Sequence, residues 1–200
     1  LLEPGNTPSS NAQFLLFLTA VIKAVDEYQD LLRLSAASAG NDHRLGAHEA
    51  PPAVVSMYIG DELGAVVDAM VSGKTYHAAE KTHMDIGVSA LPNIPKDTSD
   101  RNRTSPFAFT GNKFEFRMPG SAVNLSDCNM ILNTAMAKSL KDFADAMEGV
   151  PADEFVEAAT DYVKRTLAAH QRIIFNGNGY SREWEEEAAR RGLANHKTTA

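Results

Sequence analysis

Residues 113–118 read Lys-Phe-Glu-Phe-Arg-Met, and this stretch decides the fold class. Apolar and charged residues alternate strictly, which is the pattern of a β-strand whose two faces meet different surroundings. We predict an apolar face that packs on the core and a charged face opposite to it. The apolar face holds Phe114, Phe116 and Met118, and the charged face holds Lys113, Glu115 and Arg117.

The charged face of this strand has two interpretations that the residues alone leave open. It can be the solvent-exposed side of an antiparallel sheet, where charges of alternating sign are common. It can also be the wall of a binding site. In that case Glu115 offers oxygen to a hard divalent cation, and Lys113 and Arg117 hold a phosphate or a carboxylate.

Working outward from this strand, most of the chain has helical periodicity. The predicted helices are residues 10–35 with Ser9 or Ser10 as cap, 61–71, 126–148 and 151–174, and a short helix between Ser181 and Gly192. Residues 54–59 predict a buried strand, while residues 41–52 and 74–112 have the polar, Gly and Pro content of loops. The fold class that follows is α+β, with antiparallel strands packed with helices and a helical segment after them.

Composition excludes several classes of protein. The chain has 200 residues, of which 44% are hydrophobic, enough for a sizeable core. Its net charge of −7 argues against a nucleic-acid partner, because phosphate contacts need clustered Lys and Arg. The longest apolar run, residues 14–20, is too short for a bilayer, so we expect no membrane partner. We interpret the chain as part of a longer polypeptide.

The single cysteine, Cys128, carries two expectations. One cysteine cannot form an internal disulfide, which fits a reducing compartment, and we predict a cytoplasmic location. No base is evident as its partner, so we expect Cys128 to be a buried side chain and not a reactive thiol.

Two loops carry further charged residues. Residues 100–104, Asp-Arg-Asn-Arg-Thr, place two arginines where they can hold an anion, although a solvated loop is the commoner use of such a segment. Residues 43–49, His-Arg-Leu-Gly-Ala-His-Glu, do not have the spacing of a helical zinc motif. For residues 43–49 we therefore favour a loop with one functional arginine and one functional glutamate.

Taken together, these segments resemble the type III glutamine synthetases. The resemblance covers essentially all 200 residues and is carried by NTPSSNAQFLLFLTAVIKAVDEYQDLLRLS, AGNDHRLGAHEAPP, DRNRTSPFAFTGNKFEFRMPGS and RIIFNGNGYSREWEEEAARRGL. The middle two segments are the specific ones, because several charged residues stand there in order. The resemblance implies that residues 1–124 are part of the catalytic domain. Residues 125–200 would be a helical segment of the type III branch, continuous with that domain.

The resemblance also implies roles for six residues. In this interpretation Arg44 holds the glutamate substrate, Glu49 closes the glutamate site and helps deprotonate the ammonium adduct, Glu115 binds the divalent metal, Arg117 contacts substrate and stabilises the phosphoryl group, and Arg103 and Lys113 contact the nucleotide. Ala108 departs from the family pattern, since many relatives have a second arginine at that place. The remaining metal ligands of the family are expected outside these 200 residues.

The implied activity is ATP-dependent ligation of ammonia to L-glutamate through a γ-glutamyl phosphate. ATP would be the co-substrate, Mg²⁺ or Mn²⁺ the metal, and the assembly a homo-oligomer of two stacked hexamers, a dodecamer. The 200-residue chain alone is expected to be inactive. Two alternatives stay open: a ligase of the same fold that uses another amine, and a non-catalytic relative with a structural or regulatory role.

Overall fold

The computed structural model describes residues 1–47, 50–74, 76 and 104–199, together with the backbone of residues 83–84 and 94–95. The helices are α1 (Ala12–Glu27), α2 (Gln29–Ser35), α3 (Ala39–Arg44), α4 (Gly60–Ser72), α5 (Leu125–Met147), α6 (Phe155–His170) and α7 (Arg182–Arg190). The strands are β1 (Met57–Tyr58), β2 (His83–Met84), β3 (Ile94–Pro95), β4 (Phe107–Phe109) and β5 (Phe114–Phe116). The α+β prediction is confirmed.

The sheet beside the candidate site has the order β1-β4-β5. β4 and β5 form an antiparallel hairpin, but β1 pairs with β4 in parallel, so the sheet is mixed and not purely antiparallel as expected. β4 lies inside the stretch predicted as a loop. All three residues of β4 are buried, so its sequence, Phe-Ala-Phe, lacks the polar alternation that marks a one-sided strand.

The predicted first helix is two helices. α1 ends at Glu27, the chain bends at Tyr28, and α2 begins at Gln29. The Gln29 side chain donates to the carbonyl of Asp26, one of the acceptors left free where α1 ends. The predicted serine cap is wrong, because Asn11 caps α1 by accepting a hydrogen bond from the backbone N–H of Phe14 at 3.1 Å.

Three other boundaries differ from the prediction. Residues 41–44 belong to the helix α3, whose cap is Ser38; a six-residue polar helix has no apolar periodicity by which to predict it. α6 begins at Phe155 and not at the proline of residue 151, and ends at His170, followed by a 3₁₀ turn, Gln171–Ile173. The predicted strand over residues 54–59 is buried throughout, but only β1 within it is regular strand.

α1 is the centre of the hydrophobic core and packs against both α5 and α6. One cluster of buried side chains joins elements from the beginning, the middle and the end of the chain: Phe14, Leu18 and Ile22 of α1, Met57 of β1, Val66 of α4, Leu167 of α6 and Trp184 of α7. Cys128 is buried as expected, and its Sγ lies 3.3 Å from the carbonyl oxygen of Ser35. None of the described helices combines the length and the apolarity needed to cross a bilayer.

Candidate functional site

The β4–β5 hairpin places the rings of Phe114 and Phe116 on one face and the Glu115–Arg117 pair on the other, as predicted for these four residues. The rings of Phe114 and Phe116 pack on Phe107 of β4, with centroids 5.2 and 5.7 Å away. On the other face, Nε and Nη2 of Arg117 donate to the same carboxylate oxygen of Glu115 at 3.2 and 3.1 Å. Aromatic packing therefore fixes the strand that presents this ion pair.

Glu115 is a half-exposed carboxylate held in its ionised form. The hydrogen bonds from Arg117 lower its pKa below the ordinary value, and the hydrogen bond from Thr110 and the positive charge of exposed Lys113 act in the same direction. An ionised oxygen donor with 44% of its side chain exposed fits a hard cation such as Mg²⁺ or Mn²⁺. Among the described residues, no cluster of three or more His, Cys, Asp or Glu could hold a metal ion.

The side chain of Arg44, at the end of α3, is hydrogen-bonded to the backbone just after β5. Its Nη2 donates to the carbonyl oxygen of Met118 at 2.9 Å, and its Nε donates to the side-chain oxygen of Asn41 at 2.9 Å. Asn41 is buried and donates in turn to the carbonyls of Ala36 and Met118. α3 is thus fastened to the residue that directly follows Arg117.

Two of the predicted site residues, Glu115 and Arg117, form an ion pair, and a third, Arg44, is hydrogen-bonded to the backbone of Met118, the residue that follows them. Arg44 is half-buried, and within the described residues its Nη1 has no hydrogen-bond partner. A guanidinium group can bind a carboxylate or a phosphate in two-point fashion, and the Glu115 carboxylate can help hold a divalent cation. Lys113 lies in the hairpin turn next to them, outside β5.

Glu49 and Arg103 lie outside the described residues, so their assigned roles stay predictions. The structure describes what flanks them. The N–H of Gly46 donates to the carbonyl of Pro51 at 3.0 Å and closes the base of the loop that contains Glu49. Thr104, next to Arg103, accepts a hydrogen bond on its hydroxyl from the N–H of Gly179 at 2.7 Å.

The turn over residues 176–179, predicted as a turn and nothing more, supports two parts of the site. The Asn176 side chain bonds the backbone where β1 passes into α4, accepting from Ile59 and Gly60 and donating to Gly60. Gly179 lies so close to Thr104 that a Cβ there would stand 2.4 Å from its carbonyl oxygen. Only glycine permits this approach.

The sequence did not reveal two features of the site: the role of Asn41 as a partner of Arg44, and the position of Ala108 opposite Glu115. A prediction of α3 would have revealed Asn41, because residues three apart share one helix face and Arg44 follows it by three. Gly120 fits the same arrangement, since a Cβ there would stand 2.9 Å from the side-chain oxygen of Asn41. Ala108 is fully buried and is the cross-strand partner of Glu115.

Known proteins match the whole of this chain. Residues 158–200 match the family model described as glutamine synthetase C-terminal domain. A type-3 glutamine synthetase of Dictyostelium discoideum is 50% identical over 200 residues, which are 100% of this chain and 27% of that protein. Glutamine synthetases of Butyrivibrio fibrisolvens and Bacteroides fragilis are 49% and 47% identical over 98% of this chain, and 28% and 27% of their own lengths.

The chain spans about a quarter of the length of these relatives. The similarity reaches from its first residues to its last, and it includes the segments that hold Arg44, Glu115 and Arg117. The sequence segments, the mixed sheet with its helices and the matched relatives all indicate the same family. The chain belongs to the glutamine synthetase family, and along its whole length it is similar to a type-3 member of that family.

Proposed function

We propose that this chain is part of an enzyme that joins ammonia to L-glutamate with the use of ATP and forms L-glutamine. The observation that supports the proposal is the hydrogen bond from half-buried Arg44 to the carbonyl of Met118, the residue that directly follows Arg117 of the Glu115–Arg117 ion pair. Two arginines and an ionised carboxylate on segments bonded to each other suit a reaction between an amino-acid carboxylate and a phosphoryl group.

The chemistry proceeds in two displacements. A γ-carboxylate oxygen of glutamate attacks the terminal phosphorus of ATP, and ADP leaves, which forms γ-glutamyl phosphate. Ammonia then attacks the carbonyl carbon, and phosphate leaves with the oxygen that came from glutamate. Arg44 binds the glutamate substrate through its charge, and Arg117 offsets the negative charge on the phosphoryl group.

Glu49 acts after the acyl phosphate has formed. Nitrogen that attacks a carbonyl acquires a positive charge and must lose a proton, and a carboxylate on a closing loop can accept it. The same loop would keep water from the acyl phosphate. Arg103 and Lys113 contact the nucleotide.

Glu115 would hold Mg²⁺ or Mn²⁺ together with ligands outside the described residues. A divalent cation, when bound, supplies charge neutralisation to the phosphates of ATP. We further infer a homo-oligomeric assembly of two stacked hexamers for the full-length protein.

The test uses the full-length protein with ATP, Mg²⁺ and L-glutamate, and compares ammonium with methylamine and hydroxylamine as acceptors. We expect release of phosphate and formation of glutamine in equal amounts with ammonium. A preference for another amine would indicate a ligase of the same fold that uses a different acceptor. Absence of phosphate release with every acceptor would contradict the proposal and favour a structural or regulatory relative.

A further inference from the structure

Residues 194–199, here called the strap, contact the chain just before and just after residues 45–53, the segment that contains Glu49. At the first end, the backbone N–H and the hydroxyl of Thr199 both donate to Oδ2 of Asp42, at 2.9 and 2.6 Å. Asp42 lies on α3 only two residues before Arg44. The strap is thus bonded to the helix turn that ends in the proposed glutamate-binding arginine.

At the second end of the loop, the strap pairs with the segment that leads into β1. Asn195 and Val54 form an antiparallel bridge, and Val54 is fully buried. The neighbouring N–H of Ala194 donates to the side-chain oxygen of Gln29 at 2.8 Å. The strap therefore holds the chain just before the loop and just after it.

A buried arginine joins these contacts. Arg33 of α2 is 1% exposed, and its Nη2 lies 2.5 Å from Oδ1 of Asp42. Its Nε donates to the carbonyl of His196 at 2.7 Å. In the described part, Nη1 of the same guanidinium has no hydrogen-bond partner. A buried ion pair with an unsatisfied donor is poor evidence of net stabilisation. We therefore interpret this pair as a contact that fixes the position of the strap relative to α3.

We propose that the strap is a positioning element for the glutamate site: it fixes α3, and with it Arg44, and both ends of the loop that contains Glu49. This inference rests on the proposed function, because it names the part of the chain that orders that same site. Physically, the strap restrains the described chain on both sides of Glu49, at Asp42 and at Val54.

The hydrogen bonds from Thr199 and Arg33 also lower the pKa of Asp42 from 3.8 to about 2. Asp42 is therefore ionised throughout the neutral range. The strap accordingly engages α3 through charge-assisted bonds, which are the stronger kind.

The test substitutes Thr199→Val in the full-length protein, which removes one hydroxyl donor to Asp42 and keeps the backbone bond. The matched control is Thr198→Val, because Thr198 is the exposed neighbour and its side chain has no hydrogen-bond partner in the described structure. Thr199→Ser retains the hydroxyl and serves as the rescue variant. Asp42→Asn is the second disrupting variant, should Thr199→Val fail to fold.

We expect Thr199→Val to raise the KM for glutamate about tenfold, the loss expected for one charge-assisted hydrogen bond. The KM for ATP should stay within twofold, and Thr199→Ser and Thr198→Val should behave as the unchanged protein. A fall of kcat with both KM values unchanged would show a merely structural role and overturn the inference. Unchanged kinetics in both disrupting variants would overturn it as well.

A second readout separates this inference from the proposed function. Hydrogen exchange of the peptide that spans residues 45–53, followed without substrates, should be faster in Thr199→Val and unchanged in Thr198→Val. Equal exchange in the two variants contradicts the strap. If the unchanged protein makes no glutamine although exchange responds as expected, the proposed function fails and the attachment of the loop to the strap stands.

Discussion

At the scale of single residues, Glu49 and Glu115 should fail in different ways in the full-length protein. Glu115→Ala removes an ionised oxygen ligand and the acceptor of two hydrogen bonds from Arg117, so metal–ATP binding and all phosphoryl chemistry should weaken together. Glu49→Ala removes only the proposed proton acceptor of the second displacement. Glutamine formation should then fall about a hundredfold or more, while metal–ATP binding persists.

The measurement for this pair is the release of phosphate and glutamine, followed in parallel. In Glu49→Ala water can reach the acyl phosphate, so phosphate should exceed glutamine. Glu157→Ala, at an exposed position on α6, is the control and should change neither product. If Glu49→Ala retains the original product ratio at the original rate, Glu49 is a surface carboxylate and its assignment is wrong.

Asp42 supports a prediction about pH. Its pKa of about 2 in the folded protein lies below the ordinary 3.8, so the ionised form stabilises the fold at every pH above about 4. As pH falls from about 4 towards 2, Asp42 is protonated and this contribution is lost.

Asp42→Asn should therefore lower the thermal unfolding temperature at pH 6, and the gap to the unchanged protein should close below about pH 4. Asp153→Asn, at an exposed position, is the control. A gap that stays constant from pH 6 to pH 2.5 would contradict the role given to the Asp42 carboxylate.

At the scale of elements, periodicity predicted those features that depend on an apolar face. The alternation of residues 113–118 correctly placed Glu115 and Arg117 on one face, because aromatic packing against Phe107 decides which side of the strand is buried. The αL conformation of Gly73, with φ of 70°, ends α4 as predicted.

Elements that depend on polar or long-range contacts could not be predicted in this way. α3 is held by the side chain of Asn41 and by the strap, and neither contact leaves a periodic signal. β4 is buried on both faces, partly by β1, which is distant in the chain. Its sequence therefore lacks the alternation that would distinguish it from the loop around it. Arg44 was therefore predicted as a site residue without the helix that carries it.

The turn over residues 176–179 gives a prediction at this scale. In Gly179→Ala the new Cβ would stand 2.4 Å from the carbonyl oxygen of Thr104, so the backbone after Arg103 must shift. We expect the KM for ATP to rise about fivefold or more, since misplacement of a charged contact by about 1 Å is costly. Gly40→Ala is the matched control, because no atom lies within 4 Å of its added Cβ. Equal KM values for ATP in the two variants would show that this turn does not influence nucleotide binding.

At the scale of the whole molecule, the described residues supply part of a site. No group of three or more candidate metal ligands occurs among them, and the chain spans about a quarter of the length of its relatives. We predict that residues 1–200, prepared alone, form no glutamine from ATP, glutamate and ammonium. Glutamate- and ammonium-dependent phosphate release by a pure preparation of this segment would contradict that expectation.

The central claim is that glutamate is activated as an acyl phosphate before ammonia attacks, and an isotope measurement tests it most directly. The full-length protein is given glutamate labelled with ¹⁸O in its γ-carboxylate, together with ATP and ammonium, and the released phosphate is analysed by mass spectrometry. We predict one ¹⁸O atom in each phosphate released with a glutamine, because that oxygen leaves glutamate with the phosphoryl group. Phosphate that contains no ¹⁸O, released while glutamine forms, would contradict it.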